Sequence, residues 1–417
     1  MNDGRSVALK VLTRMERDKA YASLALDAEL DRNSGIPQVD RALATELIYG
    51  TVSRSTSLDY FIKTLSSVPM NRMSPGILAV LRMSLYQLIY LDKIPPSAAC
   101  NEGVRLAKTV GGQKSGGFVN AVLRSFLRRK DELLQSFEKE PLWVRYSVSK
   151  DIAEIIGNQY GEQAEDILRA MFMKPFLSLS VNTIKTDALT LAEKLGGNKT
   201  DEDMVVIGRS GDVRSLYGFD DGLFFVQDRS SAEAVHVLDP KEGDTVIDLC
   251  AAPGGKSFKA AIMMKNKGRI LSFDIHESKM SLINNSAKRL GLSIIDSRVH
   301  DAGIYDPSLL DIADKIICDV PCSGLGVIAK KPDIRYKTYE SIEALTSTQL
   351  SILKNAAKYV KNGGDIVYST CTINKHENED IIDKFLTDNG KFKLNEIKTL
   401  LPDGQKDGFF YAKLHKC

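Results

Sequence analysis

Two cysteines carry the most reactive chemistry in this 417-residue sequence. One stands in Asp319-Val-Pro-Cys322-Ser-Gly-Leu-Gly326 and the other in Tyr368-Ser-Thr-Cys371-Thr372. Each follows an apolar run that reads as a strand. A lone cysteine is usually a small buried hydrophobe, but Ser/Thr/Gly-rich loops beyond strands suit that role poorly. A free thiol is only a few per cent ionised near neutrality, so a nucleophilic role needs local help. Methylation at C5 of a pyrimidine calls for such a thiol beside a nucleoside-type cofactor. That carbon is too poor a nucleophile to take a methyl directly. A thiolate added at C6 makes C5 enamine-like and able to attack an electrophilic methyl. An acid beside N3, such as Asp319, lowers the cost of the adduct, and a second cysteine can assist its collapse. The residues alone leave open which thiol attacks.

The companion feature is Asp248-Leu-Cys-Ala-Ala-Pro-Gly-Gly-Lys-Ser257. Its small residues and Gly254-Gly255 let a ligand approach the backbone at a helix N-terminus. Gly255-Lys256-Ser257 matches the second half of a phosphate loop, but Cys250 occupies the position of the first glycine, where that loop must turn. The dinucleotide pattern G-x-G-x-x-G is absent. A nucleoside-type cofactor without a pyrophosphate remains. Asp274 comes 20 residues after Gly254, where a carboxylate accepts hydrogen bonds from ribose hydroxyls. Asp301 follows the third strand, placed to meet an adenine amino group, and Asp319 follows the fourth. Singly, each acid reads as a cap or loop residue. At successive strand ends they point to one nucleoside site.

The elements that must position these residues alternate after 244. Strands are expected at 245–249, 269–273, near 298–299, at 316–318 and at 365–368, with helices at 257–264, 279–290 and 345–360. That alternation predicts a doubly wound, mainly parallel sheet, whose ligands bind beyond the carboxyl ends of the strands. Residues 141–238 mix short strands (177–181, 204–207, 223–226) with helices (152–168, 187–195) and predict a small α/β domain carrying no recognisable chemistry. The first 140 residues read as helices. Leu78, Leu81, Leu85 and Leu88 form one stripe after the cap pair Ser74-Pro75, and Val7, Val11 and Met15 form another. Pro95-Pro96 breaks the chain, Ser97 is the expected next cap, and Gly111-Gly112 the expected stop. The fold class is thus multidomain: all-α over 1–140, small α/β over 141–238, and a Rossmann-like doubly wound domain over 239–417.

Composition bounds the rest. The chain is 43% hydrophobic and 26% charged, which allows real cores and excludes disordered, collagen-like and coiled-coil readings. No apolar run approaches the roughly 18 residues of a membrane span, and the start lacks a secretory h-region, so a cytoplasmic protein is expected. Six cysteines without a C-x-x-C pair and five histidines fit neither a disulfide framework nor a metal site. The net charge of +2 divides unevenly, with 22 Lys+Arg against 15 Asp+Glu in residues 1–150. That basic third suggests a surface for a polyanion, with Arg124, Arg128, Arg129 and Lys130 its densest cluster.

The strings DLCAAPGGKS (248–257), DVPCSGLGV (319–327), KPDIRY (331–336) and YSTCT (368–372) resemble the RNA cytosine-C5 methyltransferases. With a helical N-terminal part similar to the NusB-type RNA-binding fold, and the ending DGFFYAKL (407–414), the chain resembles the bacterial 16S ribosomal RNA methyltransferase B (Sun/Fmu) family over its whole length. It departs from the family pattern at Leu325 and in Ala329-Lys330-Lys331. The resemblance implies S-adenosyl-L-methionine as cofactor, Cys371 as nucleophile and Cys322 in product release. It further implies that Cys250, Ala251, Ala252, Pro253, Gly254, Gly255 and Lys256 wrap the methionine part. Asp274 would then bind ribose, Asp301 adenine, and Asp319 would lie between cofactor and base. The implied substrate is cytosine 967 of 16S ribosomal RNA, free or in an early assembly particle, acted on by a monomer without metal. Two other readings use the same residues: an RNA-binding assembly factor with a silent catalytic domain, and a methyltransferase for transfer RNA.

Overall fold

The stripe of Leu78, Leu81, Leu85 and Leu88 turns inward along the helix Pro75–Tyr90, every one buried. Ser74 starts that helix by accepting from the N–H of Ile77 at 3.4 Å, with Pro75 in the first turn, where its missing N–H costs nothing. Val7 and Val11 are likewise buried on Gly4–Asp18, and Met15 packs against the same core as Val11. The computed structural model describes residues 3–18, 22–33, 35–173, 176–208 and 212–417. They form two compact units, one of 1–157 with 331–337, the other of 158–330 with 338–417.

The first unit contains helices and no strand among its described residues. The helix Pro96–Arg128 departs from expectation at its start, because Pro95 rather than Ser97 is its cap and Pro96 lies in the first turn. Proline's fixed φ suits that position. Gly112, at φ +74°, interrupts the helix where a stop was expected, but helical structure resumes after it. Residues 331–337 return to this unit from far along the chain. Arg335, 1% exposed, donates to the carbonyl of Tyr146 at 3.0 Å, and the Tyr336 hydroxyl donates to the carbonyl of Val52 at 2.7 Å.

The second unit holds two sheets. Strands β1 (Leu177–Val181), β2 (Asn198–Asp201), β3 (Met204–Ile207) and β4 (Phe224–Val226) make a four-stranded antiparallel sheet in the order β2-β3-β1-β4. The helix expected at 152–168 is broken at Gly161, which takes a positive φ. Strands β5 (Thr245–Asp248), β6 (Arg269–Asp274), β7 (Ile295–Val299), β8 (Ala313–Asp319), β9 (Val360–Thr370), β10 (Phe392–Leu400) and β11 (Phe409–Lys416) form the larger sheet, in the order β10-β11-β9-β8-β5-β6-β7. Strands β5 to β9 pair in parallel, as expected, whereas β11 pairs antiparallel with β9 and β10. Side chains of its central strands alternate between two cores. Ile247, Leu271, Ile316 and Tyr368 enter one, and Val246, Ile270, Ile317 and Val367 enter the other. Such two-sided burial explains why these strands read as continuous apolar runs. Strand order reverses between β5 and β8, and a crevice opens beyond the carboxyl ends there. No helix among the described residues is long and apolar enough to cross a membrane.

Candidate active site

The loop after β5 is shaped by its small residues. The Ala251 N–H donates to the carbonyl of Phe273 at 2.7 Å, the Gly254 N–H donates to that of Ala251 at 2.7 Å, and the Ala252–Pro253 peptide is cis. Gly254, at φ +110°, caps the helix Gly255–Met263, and a Cβ there would lie 2.3 Å from the Phe258 ring. The loop can therefore present bare backbone and a helix N-terminus to a ligand.

The strand-end acids gather around this loop. Asp274, buried at the end of β6, accepts from the N–H of Ala252 at 3.3 Å and that of His276 at 3.1 Å. Asp301 accepts from the N–H of Gly303 at 2.9 Å. Asp319 accepts from Lys256 Nζ at 2.7 Å and from Ser369 Oγ at 2.8 Å. Burial, reinforced by the charges of Asp248, Asp319, Asp274 and Asp301, pushes the Cys250 thiol up, so it stays neutral among the acids. Four acids, three ending strands β5, β6 and β8 and one just after β7, thus act on one position in the glycine loop.

Asp248 belongs to the same cluster, which residue spacing had not singled out as a ligand-binding group. It is 1% exposed, accepts from Ser257 Oγ at 2.7 Å through Oδ2, and has no partner for Oδ1. Burial raises its pKa to about 7. Gln227, just after β4, is 5% exposed, and neither atom of its amide has a partner. Both residues line a cavity of about 210 Å³ with Cys250, Ala251, Ala252, Pro253, Gly255, Lys256 and Asp319. Buried polar atoms left unpaired are costly, and a ligand bearing both donors and acceptors would satisfy these. The acids and the glycine cradle fit a nucleoside carrying a zwitterionic tail, as S-adenosyl-L-methionine does.

The two cysteine loops meet beside this cluster. Cys322 Sγ and Cys371 Sγ lie 3.2 Å apart, and all six cysteines are free thiols. The hydrogen bond with Cys371, then burial, then the charges of Cys371, Glu377 and Asp319 drive the Cys322 thiol well up. The Cys322 thiol therefore keeps its proton, with the Cys371 sulfur within hydrogen-bond reach. The C-terminal segment braces the loops. The Gly326 N–H donates to the carbonyl of Cys371 at 3.0 Å, and the Gly408 N–H to that of Gly326 at 2.9 Å. A Cβ on Gly326 would meet the Gly408 carbonyl oxygen at 2.0 Å. Cys318, by contrast, is fully buried in the sheet core.

Behind the cysteines lies Glu377, fully buried, which sequence reading missed. It accepts from the Ser323 N–H (2.7 Å), Ser323 Oγ (2.5 Å), Gln349 Nε2 (3.0 Å) and Asn374 Nδ2 (3.1 Å). Its only trace in the sequence is a polar string six residues beyond Cys371. Elsewhere, Lys330 is held by Asp228 at 2.8 Å and Asp407 at 2.6 Å. Among the basic residues of the first unit, Arg129 pairs with Glu132 at 2.7 Å and Lys130 donates to the Leu88 carbonyl, while Arg124 and Arg128 are exposed. No cluster of metal-ligating side chains occurs among the described residues.

Comparison with known proteins bears on the whole chain. Residues 235–415 match the family described as 16S rRNA methyltransferase RsmB/F, and residues 2–128 match the NusB family. The probable ribosomal RNA small subunit methyltransferase B of Bacillus subtilis (strain 168) is 36% identical, covering 99% of this chain and 98% of its own. The corresponding protein of Synechocystis sp. (strain ATCC 27184 / PCC 6803 / Kazusa) is 33% identical over 100% of both chains. Among solved structures, PH0851 superposes with a TM-score of 0.80 at 26% identity, covering 100% of this chain and 99% of that one. A methyltransferase homolog protein from Pyrococcus horikoshii gives 0.57 at 28% identity, covering 66% and 98%.

Proposed function

Since this chain belongs to the ribosomal RNA small subunit methyltransferase B family, we propose that it transfers a methyl group to C5 of a cytosine in 16S ribosomal RNA through a covalent adduct. The observation that carries this reading is the 3.2 Å contact between Cys322 and Cys371 at the rim that also bears the glycine loop. Bound S-adenosyl-L-methionine supplies the electrophilic methyl that C5 takes. Residues 250–256 with Asp274, Asp301 and Asp319 would hold it, joined by Asp248 and Gln227.

The thiolate of Cys371 adds to C6, and the electron pair moves toward N3. Asp319 and Lys256, joined by a 2.7 Å ion pair, hold a proton for N3 at that moment. Adduct formation removes the charge and the hydrogen bond by which Cys371 raises the Cys322 thiol. Cys322 then gives its proton to solvent more readily, and the thiolate so formed can accept the one on C5. With that proton gone, the C6–S bond breaks, its electron pair returns to Cys371, and N3 releases its proton. Because the reacting atoms belong to a stacked base, the cytosine is expected to swing out into the pocket.

The three sequence segments receive separate tasks in this reading. Residues 1–140 grip RNA, 141–238 close one side of the cofactor cavity through Gln227, and 239–417 carry the reaction. A cytoplasmic monomer acting on free RNA or an early assembly particle, at position 967, completes the proposal. The deciding experiment incubates the protein with a labelled methyl donor and total RNA from cells lacking it, then maps the modified nucleotide. Label at C5 of a cytosine in 16S RNA is expected; label in transfer RNA, or at another atom, would displace the reading.

A further inference from the structure

The two cysteines differ little in sequence surroundings, yet their proposed roles differ. We propose that Glu377 is the positioning residue that holds both cysteine loops in register and keeps Cys322 the protonated partner of the pair. The inference rests on the nucleophile assignment given above and deepens it.

The hydrogen bonds define the device. Four donors converge on the Glu377 carboxyl group, two from Ser323 and one each from Gln349 and Asn374. A group met by four donors must be acceptor-only, which a carboxylate is and an amide or a protonated acid is not. Ser323 Oγ also lies 2.7 Å from Thr372 Oγ1. Because the Ser323 hydroxyl donates to Glu377, it must accept from Thr372. A directed chain therefore runs from Thr372, next to Cys371, through Ser323, next to Cys322, to the carboxylate. Asn378 closes the other side, donating to the Thr372 carbonyl at 3.0 Å and accepting from Thr370 Oγ1 at 2.6 Å. The Tyr368 hydroxyl donates to the Glu377 carbonyl at 2.6 Å.

The charge is placed asymmetrically. Both carboxylate oxygens bind the residue following Cys322, whereas the residue following Cys371 is reached only through a hydroxyl relay. The other charged or titratable groups around Cys322 are Cys371, Asp319 and Tyr368. Lys256 pairs with Asp319, whereas the donors to the Glu377 carboxylate from Ser323, Gln349 and Asn374 are all neutral. In this buried setting its charge opposes ionisation of Cys322, in the direction found for that thiol. Glutamine at 377 would remove the charge and turn an NH₂ toward a donor.

The test uses the full chain without cofactor or RNA, with iodoacetamide as the probe. A thiolate displaces iodide, and mass spectrometry reads Cys371 and Cys322 separately between pH 6 and 10. In the wild type Cys371 should react first and Cys322 only at higher pH. In Glu377→Gln the preference for Cys371 should fall by about tenfold, the equivalent of about one pK unit, and Cys322 should begin to react at lower pH. Ser323→Ala, which cuts the relay and leaves the carboxylate in place, should lower the preference about threefold; it serves as the readout should Glu377→Gln fail to fold. An unchanged preference in Ser323→Ala, or in folded Glu377→Gln, overturns the proposal. Wild-type protein in which Cys322 reacts first would instead overturn the nucleophile assignment, a separate failure.

Discussion

The sulfur of Cys322 lies 3.2 Å from that of Cys371, although 49 positions separate them in the chain. Parallel pairing of β8 with β9 produces the contact, because its register sets Asp319 beside Ser369 and brings the two following loops to one rim. In the proposed reaction this pair would supply first a nucleophile and then a base.

Replacement of either sulfur separates these duties. Cys371→Ala should lower methyl transfer below about a thousandth of wild type while leaving cofactor affinity intact. Cys322→Ala should accumulate protein covalently joined to RNA, visible as a denaturant-resistant band. A trapped band from Cys371→Ala would reverse the roles.

Gly254 tests the cradle. Alanine there must adopt φ +110° and place its Cβ 2.3 Å from Phe258. The backbone strain alone costs about 1–3 kcal/mol, and the clash adds a similar amount. Gly254→Ala should melt at lower temperature and bind S-adenosyl-L-methionine weakly by calorimetry. Wild-type values for both would show that the loop does not need this geometry.

Asp248 predicts a pH dependence. Its carboxyl, raised to about 7 by burial, holds a proton in the folded state at pH values where the unfolded chain has released it. That stabilisation is complete below the ordinary carboxylate value of about 3.8 and is lost as pH rises through about 7. Asp248→Asn has no such term. In ligand-free melts from pH 4.5 to 8, Tm of the variant should therefore gain on the wild type by a few degrees. A constant difference would contradict the assignment.

Arg124 and Arg128 are one turn apart and exposed, as is Arg129, which is ion-paired with Glu132. If both touch phosphate, the double alanine variant should weaken RNA binding and reduce the slope of log K against log salt by about 1.4–1.8. An unchanged slope would place the RNA elsewhere.

Much of the site was legible because strand and helix alternate regularly after 244. Once the strands are placed, Asp274, Asp301, Asp319 and Cys371 must follow their ends, and the parallel order brings them together. The glycine loop was legible for a similar reason, since local chemistry shapes it. The support of Glu377 was not, because its donors come from Ser323, Gln349 and Asn374 in three separate segments, and such pairings leave no periodicity. Gln227 was hidden for a different reason. Its importance lies in the partners it lacks, and a missing partner has no signature in residue spacing. The β10–β11 hairpin escaped notice because antiparallel strands break the alternation that revealed the others.

Residues 331–337 carry one more consequence. The polypeptide leaves the first unit after 157, re-enters it at 331 and departs again after 337. A fragment ending at 157 would lack Arg335 and Tyr336, leaving the carbonyls of Tyr146 and Val52 without these donors. Two carbonyls of the helical part thus find these donors only in a stretch translated some 170 residues later, which ties that part to the chain that follows it.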